Sequence, residues 1–211
     1  GVPGIASSQV TMAGIITSCQ TSLVESSGNI NRGSIIAAGR LTNHYYVGGC
    51  VASYSGDNGI LEGFTNEGLV TVTGRTDTNV YLGGVAAYVN LSLGADEIPD
   101  GLSNRIINCH NKGEVRAEAI ADGNAYVGGV AGFTSMKCSP MFDCTNSGVV
   151  YLGGKVVGGD NAVGGVAGIV GVGIANCKNS GIVEVNAVVN FQPVVGGIAG
   201  AAWPKALLGA T

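Results

Sequence analysis

The sequence predicts an all-β protein: a parallel β-solenoid (β-helix or β-roll) of about six coils, with about 35 residues per repeat. Three observations carry this. Two short signals recur in phase along nearly the whole chain. The runs between them are short and rich in branched residues, as in "YVGGVAGF" from Tyr126 and "VEVNAVV" from Val183. No segment of helix formers sustains a helical period; of the two nearest candidates, "RAEAIA" is too short and Pro204 interrupts "AAWPKALLGA".

The first signal is an apolar residue, two glycines and two small or branched apolar residues. It reads "VGGCVA" from Val47, "LGGVAA" from Leu82, "VGGVAG" from Val127 and Val163, and "VGGIAG" from Val195, with a degenerate "MAGIIT" from Met12. The second glycines are Gly14, Gly49, Gly84, Gly129, Gly165 and Gly197. The second signal is Asn-x-Gly-x-(Val/Ile), at the predicted corner residues Asn31, Asn66, Asn111, Asn146 and Asn179. Turn residues in "DTN", "DGN" and "GDN" precede the Gly-Gly strands. A propeller blade needs four antiparallel strands and somewhat more chain. A solenoid coil of two or three strands tolerates insertions at its corners, and the spacing between the signals varies at one repeat by ten residues. Each signal then stacks on its counterpart about 4.8 Å along the axis. The asparagines form a ladder that holds the turn by bonding backbone amides, and the corner glycine supplies a conformation closed to other residues.

Cys109, Cys144 and Cys177 each sit two residues before a corner asparagine, where the earlier repeats carry Asn29 and Phe64. Phenylalanine in that slot marks an interior position, so the expectation is buried free thiols. A bridge between Cys138 and Cys144 is the alternative. A straight column offers a line of sulfurs rather than the convergent set that zinc needs, so no metal and no cofactor are expected.

Charged residues make up only 11% of the chain, and the formal net charge is −4. The ten basic residues are scattered, which removes the footprint for nucleic acid. No apolar run is long enough for a transmembrane segment.

The pairing of "VGGVAG" with "CTNSGVV" resembles the GLUG-type repeats of bacterial surface proteins, IgA-protease-like proteins and adhesin-like proteins of gut Bacteroidales. The resemblance covers about Met12 to Gly200. It departs in the first copy, where Ala13 stands for glycine and Asn29 for cysteine. It implies a β-helical stalk, extracellular or on the bacterial cell surface, with any chemistry in a separate domain. Residues 1–211 are accordingly expected to be one solenoid domain of a longer surface protein, with neighbouring domains in the same polypeptide. The expected function is a non-enzymatic adhesin-like or spacer module whose partner is a host or bacterial surface glycan or protein. The alternatives are a carbohydrate-binding surface protein and a β-helix glycan-degrading enzyme.

No catalytic set is identified. His44 and His110 are the only histidines, and each is expected at the surface. The candidate ligand-binding residues are of two kinds. Tyr46, Tyr81 and Tyr126 all lie three residues before a second glycine. Facing out, they form a strip suited to sugar rings or a protein partner; facing in, they fill the core. Asp96, Glu97 and Asp100 cluster in the insertion "LGADEIPDG", where calcium or a catalytic carboxylate pair is the alternative to a solvated loop.

Overall fold

The structure is a computed structural model, and it describes residues 9–20, 24–25, 28–57, 59–92, 105–135 and 140–202. Among these there is no helix, and every strand pairing is parallel. The chain winds as a β-solenoid of five complete turns, and the strands Val194–Gly196 and Ala199–Ala202 stack on the fifth. The candidate residues Asp96, Glu97 and Asp100, and also Cys138, lie outside the described residues.

Each turn holds six short strands, not two or three. In the third turn they are Val80–Gly83, Ala86–Ser92, Arg105–Ile107, His110–Asn111, Val115–Ala117 and Ile120–Ala121. Equivalent strands of successive turns pair into six ladders running the length of the molecule. Register is kept residue for residue: Tyr46 opposes Tyr81, which opposes Tyr126, and Val70 opposes Val115, which opposes Val150. Strands of two residues suffice because each is held by its neighbours above and below.

The interior is divided into two lobes. One is lined by Tyr45, Val47, Leu82, Val127, Val70, Val115 and Leu152. The other is lined by Val51, Tyr54, Leu61, Ile106, Met141, Phe64, Cys109 and Cys144. Between them the Gly-Gly wall reaches across and meets the corner asparagine of the same turn. A β-carbon on Gly49, Gly84, Gly129 or Gly165 would overlap Cγ of Asn66, Asn111, Asn146 or Asn179, respectively, and the carbonyl oxygen of the next turn's glycine. The two sequence signals keep phase because they touch.

The asparagine ladder forms as expected along one column. Its bonding differs from the expectation. In Asn31, Asn66, Asn111 and Asn146 each Nδ2 donates twice, once to the carbonyl of the glycine two residues on and once to Oδ1 of the next asparagine, while Asn179, last in the column, donates only to Gly181 O. Asn66 gives Gly68 O at 2.8 Å and Asn111 Oδ1 at 2.8 Å; Asn111 gives Gly113 O and Asn146 Oδ1, both at 2.7 Å. Only Asn31 and Asn179 accept from a backbone amide, those of Gly33 and Gly181. The buried carboxamides thus satisfy one another, as low-dielectric surroundings demand.

The left-handed residue also falls elsewhere. It is not the glycine of Asn-x-Gly, which is needed because a β-carbon on Gly68, Gly113 or Gly148 would overlap the backbone of the turn before. Positive φ sits one residue before the Phe/Cys column, at Gly63 (72°), Asn108 (52°), Asp143 (53°) and Asn176 (54°). Asparagine and aspartate tolerate this region better than other side chains.

Candidate functional site

Where the Gly-Gly wall bends inward, it leaves a cleft on the outside between the first and second ladders. Strand alternation sends Tyr45 and Val47 to the lobe and Tyr46 to the cleft. The tyrosine ladder is therefore neither in the lumen nor an open strip. Tyr46 and Tyr81 stack with centroids 4.9 Å apart and planes 5° apart, and Tyr81 meets Tyr126 at 5.2 Å and 30°.

A second aromatic column covers them from the other wall. Tyr88 and Phe133 are in register and stack at 5.3 Å and 10°. Tyr88 meets Tyr46 and Tyr81 edge to face, and Phe133 does the same to Tyr81. Such pairings suit the ring quadrupoles. Tyr81 is left only 9% exposed and Tyr126 7%, so the ring faces are taken by other rings, while Tyr46, Tyr88 and Phe133 form a half-buried rim. The sequence carried the signal for this second column: Ser53, Tyr88, Phe133, Ile169 and Ala201 each lie four residues after a second glycine.

Polar caps line the mouth of the cleft. Asn79 Nδ2 donates to the Tyr81 hydroxyl at 3.1 Å, and Asn124 Nδ2 to that of Tyr126 at 2.9 Å. The Asn79 and Asn124 Oδ1 atoms accept from the backbone amides of Asn124 and Asp160 in the next turn. His44, half-buried rather than at the surface, accepts from Asn79 N through Nδ1 at 3.2 Å. His110 is also half-buried, with Nδ1 2.8 Å from Thr145 Oγ1. Burial pushes the Tyr46 phenol up to about 12, and the neighbouring Tyr81 and Tyr88 phenols add to the rise. Burial raises Tyr81 and Tyr126 too, against the opposing bonds from Asn79 and Asn124.

In the fifth turn the rings give way to aliphatic side chains, Ala162 opposite Tyr126 and Ile169 opposite Phe133. There the cleft opens into a cavity of about 250 Å³, lined by Gly159, Asp160, Ala162, Ile169, Val194 and Ala201 among others.

Cys109 and Cys144 are fully buried and Cys177 partly so; all three are free thiols, as is Cys50. Their sulfurs lean on carbonyls of the wall, Cys144 Sγ lying 3.2 Å from Phe142 O. Neighbouring thiols and burial together hold Cys144 and Cys177 well above the usual thiol range, and burial holds Cys50 at about 12. The bridge option through Cys138 lies outside the described residues, as do the insertion carboxylates. Among the described residues no group of three or more His, Cys, Asp or Glu side chains is placed to hold a metal ion, and no helix is long and apolar enough to cross a membrane.

The outer wall carries cross-turn charge pairs. Glu67 bridges Arg32 at 3.0 Å and Lys112 at 3.1 Å, and these bonds hold its carboxyl below the ordinary range, Lys112 foremost. Arg116 lies between Glu114 and Glu118 and over the Tyr151 ring, 4.1 Å from its centroid.

The chain matches no family model, no curated protein and no solved structure.

Proposed function

We propose that the chain is a non-enzymatic spacer or adhesin-like module of a bacterial extracellular surface protein, a rigid repeat element that sets distance and presents its sides to partners. One observation carries this reading. The residues repeated in every turn, the corner asparagine and the glycine against it, are occupied in joining one turn to the next. The likeness of "VGGVAG" and "CTNSGVV" to GLUG-type repeats supports the cell-surface part of the proposal. Its partner is a surface glycan or protein, and other domains of the same polypeptide supply any catalysis. Glycan binding by stacking on Tyr81 and Tyr126 has less support, because the faces of those rings are already covered.

Antibodies raised against residues 1–211 test the reading on intact cells of the source bacterium. Labelling of unbroken cells, lost after mild external proteolysis, is the expected result. An antigen reached only after lysis would overturn it.

A further inference from the structure

The cavity in the fifth turn stands at a defined place in a repeating pattern. In the third and fourth turns the cleft holds the same unit: a tyrosine from one wall, an aromatic ring from the other, and an asparagine at the tyrosine hydroxyl. These units are Tyr81, Tyr88 and Asn79, then Tyr126, Phe133 and Asn124. In the fifth turn the wall positions become Ala162 and Ile169, and in the next Val194 and Ala201. Backbone register along both walls is unbroken while the side chains between them shrink. The result is the cavity of about 250 Å³. An apolar cavity of about 150 Å³ already accommodates a benzene ring.

The polar position changes as well. Where Asn79 and Asn124 offer an amide donor to a phenol oxygen, the fifth turn has Asp160, an exposed residue at the cavity lining whose backbone amide is bonded to Asn124 Oδ1 at 3.1 Å. An amide at this place donates to a hydroxyl oxygen, whereas a carboxylate only accepts and so selects a ligand that brings its own O–H. Asn161 turns its own amide to other work, with Nδ2 on Gly158 O and Oδ1 on Ala125 N. Much of the rest of the lining is aliphatic or glycine. A sugar ring, which needs several polar partners, is poorly served by such walls.

We propose that this cavity is a binding site for a single phenol ring, held between the Ala162–Val194 and Ile169–Ala201 walls with its hydroxyl donating to Asp160. The ligand takes the part that tyrosine plays in the preceding turns. The source is either a free small phenol or a tyrosine side chain on a peptide, and both present the same group. The inference does not depend on where the protein acts, since a spacer and any other module would carry the same cavity.

Titration of the whole chain with p-cresol, followed by amide chemical shifts, tests it. The expected result is saturable binding with a dissociation constant on the order of 1 mM, as for a ligand of few atoms. Shifts should centre on Ala162, Ile169, Val194 and Ala201. Toluene should bind about tenfold more weakly, because it lacks the charge-assisted hydrogen bond. Ala162→Tyr, which restores the ring of the earlier turns, should abolish p-cresol binding while the protein stays folded. Asp160→Asn serves the same end if that variant does not fold, and should reduce preference for p-cresol over toluene. A Gly-Tyr-Gly peptide run alongside distinguishes the sources: tighter binding than p-cresol assigns the site to peptide-borne tyrosine, weaker binding to free phenols. Absence of saturation, unchanged binding in Ala162→Tyr, or equal binding of methyl glucoside would overturn the proposal.

Discussion

Gly84 rests its α-carbon against the carboxamide of Asn111, and a β-carbon at Gly84 would overlap both Asn111 Cγ and the carbonyl oxygen of Gly129. This contact joins opposite walls of one turn at the waist between the two lobes. A rigid backbone oxygen cannot give way as a flexible side chain does. Gly84→Ala is therefore expected to cost at least about 3 kcal/mol in urea unfolding, the upper part of the range for overpacking. Gly197 occupies the same motif position, but a β-carbon there meets nothing within 4 Å. Gly197→Ala should stay within about 0.5 kcal/mol of the parent. Equal costs at the two sites would refute the contact as the reason for the glycine.

Asn111 lies in the middle of the carboxamide column and Asn31 at one edge of it. Asn111→Ala removes the acceptor of Asn66 and the donor to Asn146 and Gly113, leaving buried groups unpaired. At about 1–3 kcal/mol for each unsatisfied group, a loss of roughly 3–5 kcal/mol is expected. Asn31→Ala also frees three groups, but two of them, Gly33 O and Gly33 N, belong to an exposed residue that water can reach, so it should cost clearly less. Chemical denaturation of both variants checks the order.

How far these features could be read beforehand differs by element. The asparagine column was legible because a fixed spacing in a repeat puts identical residues in register whatever the path between them. The same logic placed Tyr46, Tyr81 and Tyr126 on one line. It did not say what they face, because Gly48, Gly83 and Gly128 end their strands and the direction of a bend at paired glycines leaves no trace in alternation. Phe64 marked the cysteine slot as interior, and the slot is interior. Six strands per turn were read as two or three because strands such as His110–Asn111 are too short to show a period. The left-handed position before the cysteines was visible only as a composition, Gly63, Asn108, Asp143 and Asn176, and the same residue types also mark the turns before the Gly-Gly strands.

Thiol reactivity separates the cysteines by burial. Cys50, Cys109 and Cys144 are covered completely, and burial and neighbouring sulfur keep the Cys50 and Cys144 thiols protonated at neutral pH. At pH 8 none of these three should react with an aromatic disulfide reagent in the native state within the time that a free peptide thiol reacts. All three should react in denaturant. Peptide mapping after native labelling that finds adduct on Cys109 or Cys144 would count against the buried column.

Alkaline pH should loosen the cleft. The folded-state pKa of Tyr46 is raised above the ordinary phenol value of 10.0 to about 12, so folding favours the protonated phenol. That contribution is fully present below pH 10 and is lost as pH rises from 10 through about 12. The 295 nm absorbance titration should show a late group of tyrosines, and the melting temperature should fall across the same window. Removing the Tyr46 hydroxyl by Tyr46→Phe should flatten the fall. An unchanged pH dependence in that variant would locate the effect elsewhere.

The carboxamide column has a sense of direction. Every cross-turn bond in it runs the same way, from Asn31 to Asn66, Asn111, Asn146 and Asn179. Each donor polarises the next, as in any chain of aligned amides. A turn can therefore be duplicated or removed in its original sense and the arrow passes through it unbroken. A turn set in upside down would bring donor against donor on one side and acceptor against acceptor on the other. The column thus acts as a one-way gauge: it admits growth by copying and rejects growth by inversion.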